Sequence, residues 1–405
     1  MILNFQGGVK IDAKRLFLSS PIKAVDTCSA ICIKAEDDAV FDIEIGDTVK
    51  RGTLLGFSGG TPVYSSIAGV FNGIIEVEGE NYFTVINEGE TGEETIFESE
   101  SRPLTSLTRE DIILAARQFA IIDSRTGRPL WQLITEAENC KRVIIDCTEP
   151  FAHSAINHRI CIEKAKSVVG GAKIILHAIG ALKCVFAFEH SKKAVTESLS
   201  AYATDEQLFA IATMAEKYPY GDRALLDGIY VKTLKEGELP TEKGVLIVGV
   251  EAAVALFDAM VSGKPQTFRY ITVCGEGMEK GGNYFLPRGI TMHEVSHLCG
   301  GFPEDRLIIE NSLLSGDIMG GAITDSTIAV MTSVPDKKRR TDCISCGKCA
   351  EACPAKLFPA EALLGDNLQI KKECLGCGAC EYICPSGIPL LRFIKGKKAK
   401  NVSKK

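Results

Sequence analysis

From residue 1 to about 95, apolar positions come in short alternating bursts separated by turn signals. Phe41–Ile45 alternates, Gly46-Asp47 turns the chain, Val49, Leu54 and Leu55 follow, and Gly59-Gly60 turns it again. Val63–Ile67, Gly69–Val77 and Tyr82–Ile86 repeat the pattern. Short, evenly spaced strands of this kind predict a small β barrel or sandwich. The acidic, polar stretch 88–101 reads as a linker. After residue 103 the period changes. Thr108–Ala120 predicts an amphipathic helix, with Thr108 as N-cap and Glu110 and Asp111 at the positive end of its dipole. Val143–Asp146 predicts a buried strand, His158–Val169 a helix, and Lys173–His177 and Cys184–Phe188 strands. Lys192–Ala201 predicts a helix, Gly244–Val250 a strand and Ala252–Val261 a helix. Such alternation over 103–265 implies an α/β domain with a mostly parallel sheet. Residues 266–330 shift again, with Tyr270–Cys274 a strand and Thr291–Leu298 a short helix, as in a small α+β module.

Of the 16 cysteines, eight fall into two matching runs near the C-terminus. One is Cys343, Cys346, Cys349 and Cys353, followed by Pro354; the other is Cys374, Cys377, Cys380 and Cys384, followed by Pro385. This spacing binds a pair of [4Fe–4S] clusters, because two-residue gaps let three sulfurs of one loop point inward and the other run supplies the fourth. It predicts one cluster on Cys343, Cys346, Cys349 and Cys384 and another on Cys374, Cys377, Cys380 and Cys353. Zinc sites use four ligands in pairs, whereas each run here offers four cysteines and a proline. Backbone amides around Gly347, Gly376 and Gly378 are expected donors to cluster sulfurs. Residues 336–394 then form a bacterial dicluster ferredoxin domain.

At 405 residues the chain exceeds one ordinary core, so several domains are expected. A net charge of -6 argues against nucleic acid as partner. Residues 395–405 are a basic tail, read as a solvated end. The most apolar stretch, Gly244 to Gly263, carries Glu251 and Asp258, which argues against a membrane span. With no leader at Met1 and clusters that need a reducing compartment, a cytoplasmic site is expected, peripheral to the inner face of the membrane at most, in an anaerobic or microaerobic cell.

Several phrases, each weak alone, occur in a telling order. They are Gly7-Gly8-Val9, Glu149-Pro150-Phe151 with His158-Arg159, Tyr218-Pro219-x-Gly221, Gly263-Lys264-Pro265, Cys299-Gly300-Gly301-Phe302, and Cys384-Pro385-Ser386-Gly387-Ile388-Pro389-Leu390. With the cysteine runs, this order resembles the RnfC family, the peripheral NADH-oxidising subunit of the Rnf electron-transport complex, whose relatives include an electron-transfer protein associated with proline reductase. The resemblance covers nearly the whole chain. It implies a multidomain α/β and α+β fold. Residues 1–95 would be a barrel-sandwich hybrid of biotinyl/lipoyl type, suggested by Gly46-Asp47-x-Val49-x-x-Gly52 and Ser65-Ser66-x-x-Gly69-Val70. Residues 103–265 would resemble the NADH- and FMN-binding domain of the complex I flavoprotein subunit, and 266–330 a soluble-ligand-binding β-grasp (SLBB-like) module. The hairpin tip reads Ser65-Ser66-Ile67-Ala68, with no lysine to modify, so a swinging-arm role is not expected.

The resemblance breaks at the cofactor pocket. The family's glycine-rich loop lets backbone amides approach flavin and nucleotide phosphates. Here the corresponding stretch is Ile122-Asp123-Ser124-Arg125-Thr126-Gly127-Arg128-Pro129-Leu130. Asp123 would repel a phosphate, while Arg125 and Arg128 fill space or grip an anion themselves. The family's polar Asn position is Ile144, ahead of Cys147 and Glu149, and Val248-Gly249-Val250-Glu251 lacks the family's Asn. These departures predict a degenerate site with tight NADH and FMN binding lost, although Cys147 falls in the pocket. The expected function is electron transfer through two clusters between a redox partner and an acceptor protein, the partner being a membrane-bound or amino-acid reductase system. The alternatives are an NADH:acceptor oxidoreductase with FMN in a divergent pocket, and an interaction module with structural clusters.

Two further motifs stand apart. His293-Glu294-Val295-Ser296-His297 matches H-E-x-x-H, but catalytic zinc needs three protein ligands and Glu310 is a poor third. Cys28 and Cys32 could pair in redox chemistry, and Cys140, Cys147, Cys161, Cys184, Cys274 and Cys299 read as core residues.

Overall fold

The computed structural model describes residues 2–11, 17–77, 79–94, 103–190, 192–232, 234–235, 237–318, 320–333, 340–365 and 368–395. Half of the acidic linker (95–101) and all of the basic tail beyond Lys395 lie outside these residues.

A five-stranded sheet forms the centre of the α/β part. Its strands run in the order Ile2–Leu3, Phe209–Met214, Lys183–Glu189, Arg142–Asp146 and Val245–Gly249. All neighbours are parallel. Both faces are covered, as a parallel sheet requires. One carries the largest core, including Val143, Ile145, Phe186 and Val248. The other carries Ile144, Ala187, Val231, Val245 and Ile247. The helices Ala165–Ile179 and Val250–Ser262 cross on the larger face. Their approach is close enough that a Cβ on Gly171 would lie 1.9 Å from the Ala253 carbonyl oxygen.

The Thr108 helix forms as its sequence predicts. Arg109–Gln118 opens on a reciprocal capping box between Thr108 and Asp111. The expected strand Lys173–His177 is instead the second half of the Ala165–Ile179 helix. Its apolar run is buried nearly all round, and such a run has no period to separate helix from strand.

The N-terminal strands form two small sheets. One orders Ala30–Ala35, Glu80–Ile86, Gly69–Val77 and Thr48–Val49; the other orders Val40–Phe41, Leu54–Ser58 and Thr61–Tyr64. Their inner residues Ile31, Leu55, Phe71 and Phe83 share one core with Ile271, Val273, Leu286 and Ile290 of the next unit. The hairpin tip points into that junction. Ser65 and Ser66 are fully buried, and the Ser66 hydroxyl donates to the Arg288 carbonyl at 2.7 Å. A tip held this way cannot swing.

A mixed sheet follows, ordered Leu307–Glu310, Ala329–Ser333, Phe268–Gly275, Gly282–Pro287 and Ile22–Ala24. The first residues therefore do not stay in one unit. Residues 2–3 edge the parallel sheet and residues 22–24 edge the mixed one. Strands of two or three residues are too short for a period-2 pattern to show.

Between the parallel and mixed sheets lies a buried ionic group. Arg269, with its side chain 1% exposed, donates to Glu251 at 2.8 and 3.2 Å and reaches Asp325. Arg288 clasps Asp325 from the other side. The acidic residue that argued against a membrane span is thus the counter-charge that ties two layers. Replacing one partner strands a desolvated charge. Arg269→Ala is expected to lower unfolding stability by about 3–5 kcal/mol in chemical denaturation, and Arg269→Met with Glu251→Leu to recover most of the loss.

Candidate electron-transfer site

In the parallel sheet the chain runs outward from Arg142–Asp146 through two strands, then returns to place Val245–Gly249 on its other side. Ligands of open α/β sheets bind at such a switch point, outside the carboxyl ends of the strands. Asp146 and Gly249 are paired there. A hollow of about 310 Å³ opens over them, lined also by Arg125, Thr148, Asn157, Tyr218 and Asp222. Its far wall is Leu375, Gly376 and Cys377 of the second cysteine run. The Tyr218 hydroxyl donates to the Cys377 carbonyl at 2.6 Å and closes the contact.

The loop that should cradle a phosphate is built differently. Ile122-Asp123 pairs with Arg128-Pro129 in a tight two-strand turn, with Gly127 at φ +70°. Asp123 is fully buried, and its carboxylate accepts the Gly249 N–H at 2.8 Å and the Thr126 hydroxyl at 2.8 Å. A side-chain carboxylate therefore holds the amide at the start of the Val250–Ser262 helix, where an anion would otherwise bind. A Cβ at residue 249 would stand 2.7 Å from that oxygen, so the contact requires glycine. Burial pushes the Asp123 carboxyl above the ordinary range, while Thr126, Arg125 and the Gly249 amide pull it back. Arg125 is also buried and is neutralised twice, donating to Asp146 at 2.9 Å and to Asp227. Arg128 points elsewhere and pairs with Glu136. Asp123 occupies the Gly249 amide, and Arg125 and Arg128 hold carboxylates of this chain instead of an external anion.

Two other residues expected in the pocket are not on its wall. Cys147, 1% exposed, belongs to the main core and donates to the Ile145 carbonyl. Glu149 is buried behind the wall and accepts the His158 N–H at 2.7 Å. Asp222 and Asp227 were not singled out by sequence. Asp222 could have been, since it N-caps the helix Arg223–Tyr230 by accepting the Leu225 N–H.

The two cysteine runs interlock. Cys353, Cys374, Cys377 and Cys380 line one apolar hollow together with Leu357, Leu391 and Ile394. Cys349 and Cys384 pack on the same group of Ile388 and Leu390 as the back of Cys380. Cys343 and Cys346 are exposed. Sulfurs receive amide donors, from Leu357 to Cys353 at 3.4 Å and from Gly376 to Cys374 at 3.3 Å. Gly347 and Gly378 supply the left-handed turn ahead of the short helices Lys348–Glu351 and Ala379–Tyr382. Burial pushes the Cys377 thiol up to about 12, so four thiolates in this hollow need the positive charge of iron to exist together. Among the described residues no three His, Cys, Asp or Glu side chains converge as ligands of a single metal ion.

All sixteen cysteines are free of disulfides. Cys28 donates to the Ala30 carbonyl, and burial pushes its thiol up to about 12.

Fold and site together define an iron–sulfur electron-transfer protein. A family model for the Nuo51 FMN-binding domain matches residues 127–258, and one for the 4Fe-4S dicluster domain matches 335–402. FMN and [4Fe–4S] clusters are the cofactors that these two matches support. The chain is 25% identical over 341 residues to the C component of the Na(+)-translocating ferredoxin:NAD(+) oxidoreductase complex of Acetobacterium woodii, covering 78% of this chain and 76% of that protein. It is 25% identical over 387 residues to the C component of the proton-translocating ferredoxin:NAD(+) oxidoreductase complex of Clostridium ljungdahlii, covering 89% and 84%. A chain of an NAD+-reducing [NiFe]-hydrogenase aligns with a TM-score of 0.47 at 14% identity, over 62% of this chain and 52% of that one. The resemblance to the RnfC family is thereby borne out: over most of its length the chain is a homologue of the C component of these complexes, and it carries electrons through iron–sulfur clusters.

Burial pushes the Glu149 carboxyl up to about 7, with Glu189 adding to the rise. Between the unfolded value near 4.3 and about 7, the folded chain holds a proton that the unfolded chain has lost. Stability from this group is therefore complete below about pH 4 and falls as pH rises through 7. Glu149→Gln is expected to flatten that part of the curve, seen as a smaller drop in denaturation midpoint between pH 5 and 8 than in wild type.

Proposed function

We propose that this chain is an adaptor that passes electrons between a redox partner and an acceptor through two [4Fe–4S] clusters in series, without taking hydride from a nucleotide at its own switch point. The observation that carries this reading is the placement of the two cysteine groups. Cys353, Cys374, Cys377 and Cys380 hold the inner cluster against the switch-point hollow, and Cys343, Cys346, Cys349 and Cys384 hold the outer cluster at the surface. Each cluster takes its fourth ligand from the other run, so neither loop closes without the other. The outer cluster is the port to the partner. Ile344 beside it is 65% exposed. Residues 336–405 carry 15 Lys and Arg against 7 Asp and Glu, in a chain whose overall charge is -6. A C-terminal region that is basic in sequence suits an acidic electron carrier. Both relatives above are named as parts of ferredoxin:NAD(+) oxidoreductase complexes, and a ferredoxin-like partner within a multi-subunit complex fits that chemistry.

The same reading assigns residues 1–95 mainly to a barrel-sandwich hybrid, 103–265 to the complex I flavoprotein-like domain, 266–330 to an SLBB-like β-grasp module and 336–394 to the dicluster domain. The first two of these gain support from the buried, lysine-free hairpin tip and from the switch-point topology. No helix among the described residues is long and apolar enough to cross a membrane. We place the chain at the inner face of the cell membrane, held there by its complex.

One observation favours a second reading, an NADH:acceptor oxidoreductase: the match over 127–258 is to an FMN-binding domain. The readings part on one experiment. Reconstituted anaerobically, mixed with FMN and desalted, the chain is expected to retain no flavin, and its cluster absorbance to bleach with dithionite but not with NADH. Retained flavin and bleaching by NADH would establish the dehydrogenase. The ligand sets are checked separately by iron analysis. Cys353→Ala combined with Cys374→Ala is expected to leave about four of the eight irons, because both residues serve one cluster. Cys353→Ala combined with Cys346→Ala is expected to leave almost none. The reverse result assigns Cys353 to the outer cluster.

A further inference from the structure

The helix Met292–Leu298 carries His293, Glu294 and His297, but its geometry is not that of a zinc hydrolase. Glu294 accepts the Ser29 hydroxyl. Glu310 accepts the Thr327 hydroxyl at 2.5 Å. Both acids are engaged by hydroxyls of this chain. What the helix does offer is a pair of imidazoles. His293 and His297 are both exposed and lie one turn apart. Their Nε2 atoms approach to 3.2 Å, with ring planes at 71°. Two nitrogens bound to one divalent metal at about 2.0–2.1 Å each stand roughly 3.2 Å apart when the angle at the metal is near 100°. That distance is a hydrogen bond between the two rings here, and it also suits two ligands of one ion.

The platform is fixed. The Thr291 hydroxyl accepts the Glu294 N–H and caps the helix, while Met292, Val295 and Cys299 are buried in the core shared with the N-terminal strands. With Glu294 tied to Ser29, the helix is anchored on both flanks and the two imidazoles need little ordering on binding. We infer that His293 and His297 form a bidentate surface site for an imidazole-preferring divalent cation, of the Ni²⁺, Cu²⁺ or Zn²⁺ class, with water completing its shell. The site is separate from the cluster cysteines and does not depend on the electron-transfer reading. Because the second imidazole binds intramolecularly, the pair holds the ion about a hundredfold more tightly than either histidine alone.

The test uses the untagged full chain with clusters assembled, titrated anaerobically with Ni²⁺ in a calorimeter. One saturable site is expected. His293→Ala and His297→Ala are each expected to weaken it at least about tenfold, and Glu294→Gln to leave it within about twofold. Unchanged cluster absorbance in all three variants shows that they fold. The inference is overturned by the lack of a saturable site, by alanine variants that bind as wild type does, or by a Glu294→Gln loss equal to theirs.

Discussion

The contact on which the rest of this architecture depends is the seat of the dicluster region on the carboxyl edge of the parallel sheet. Val9, Ala152, Tyr218, Ala352 and Ala379 form one small apolar core from five separate stretches of chain, with Cys377 packed against it. The Gly8 N–H donates to the Ala352 carbonyl, and a Cβ on Gly7 would strike the Cys353 carbonyl oxygen at 2.6 Å. Small residues are required because backbone must meet backbone there. This seat turns a ferredoxin-like appendage into a continuation of the α/β domain. It also sets the distance from the switch point to the first iron–sulfur centre, and electron transfer depends steeply on such distances.

At the switch point itself, a carboxylate of this chain accepts the amide at the start of the Val250–Ser262 helix. The change is electrostatic as well as steric. A glycine loop exposes amides whose partial positive charge invites phosphate. Here Asp123 supplies that negative charge from within, and Arg125 is shared between Asp146 and Asp227. Two carboxylates share that one guanidinium, so Arg125 is already engaged within the chain. The domain keeps the sheet, the crossing of its helices and the cleft, all set by apolar packing, and differs in the handful of polar residues that decide what enters.

Much of this was legible in the sequence. Cysteine spacing carries the cluster chemistry because a cubane imposes its ligand pattern on the local chain. The phrases Gly7-Gly8-Val9 and Tyr218-Pro219-x-Gly221, individually weak, prove to be the two sides of the dicluster seat. The departure at Asp123 and Arg125 was visible as well, but its meaning was not. Sequence could not show that Arg125 is spent on Asp227, about a hundred positions away, or that Cys147 turns from the hollow into the core. The Lys173–His177 stretch misled for a physical reason: an apolar run buried on all sides has no polar face to mark its period.

The placement of Ile2–Leu3 has a consequence for assembly. These residues complete the edge of the parallel sheet beside Phe209–Met214, and the next few reach across to Ala352 and Cys353. Residues 2–3 therefore pair only once 209–214 are in place, and residues 7–8 meet their backbone neighbours only once 352–353 are in place. Contacts of such long sequence separation form late and close at the cost of loop entropy. Without Ile2–Leu3 docked, Phe209–Met214 would be an open edge strand, the kind of surface that recruits other chains.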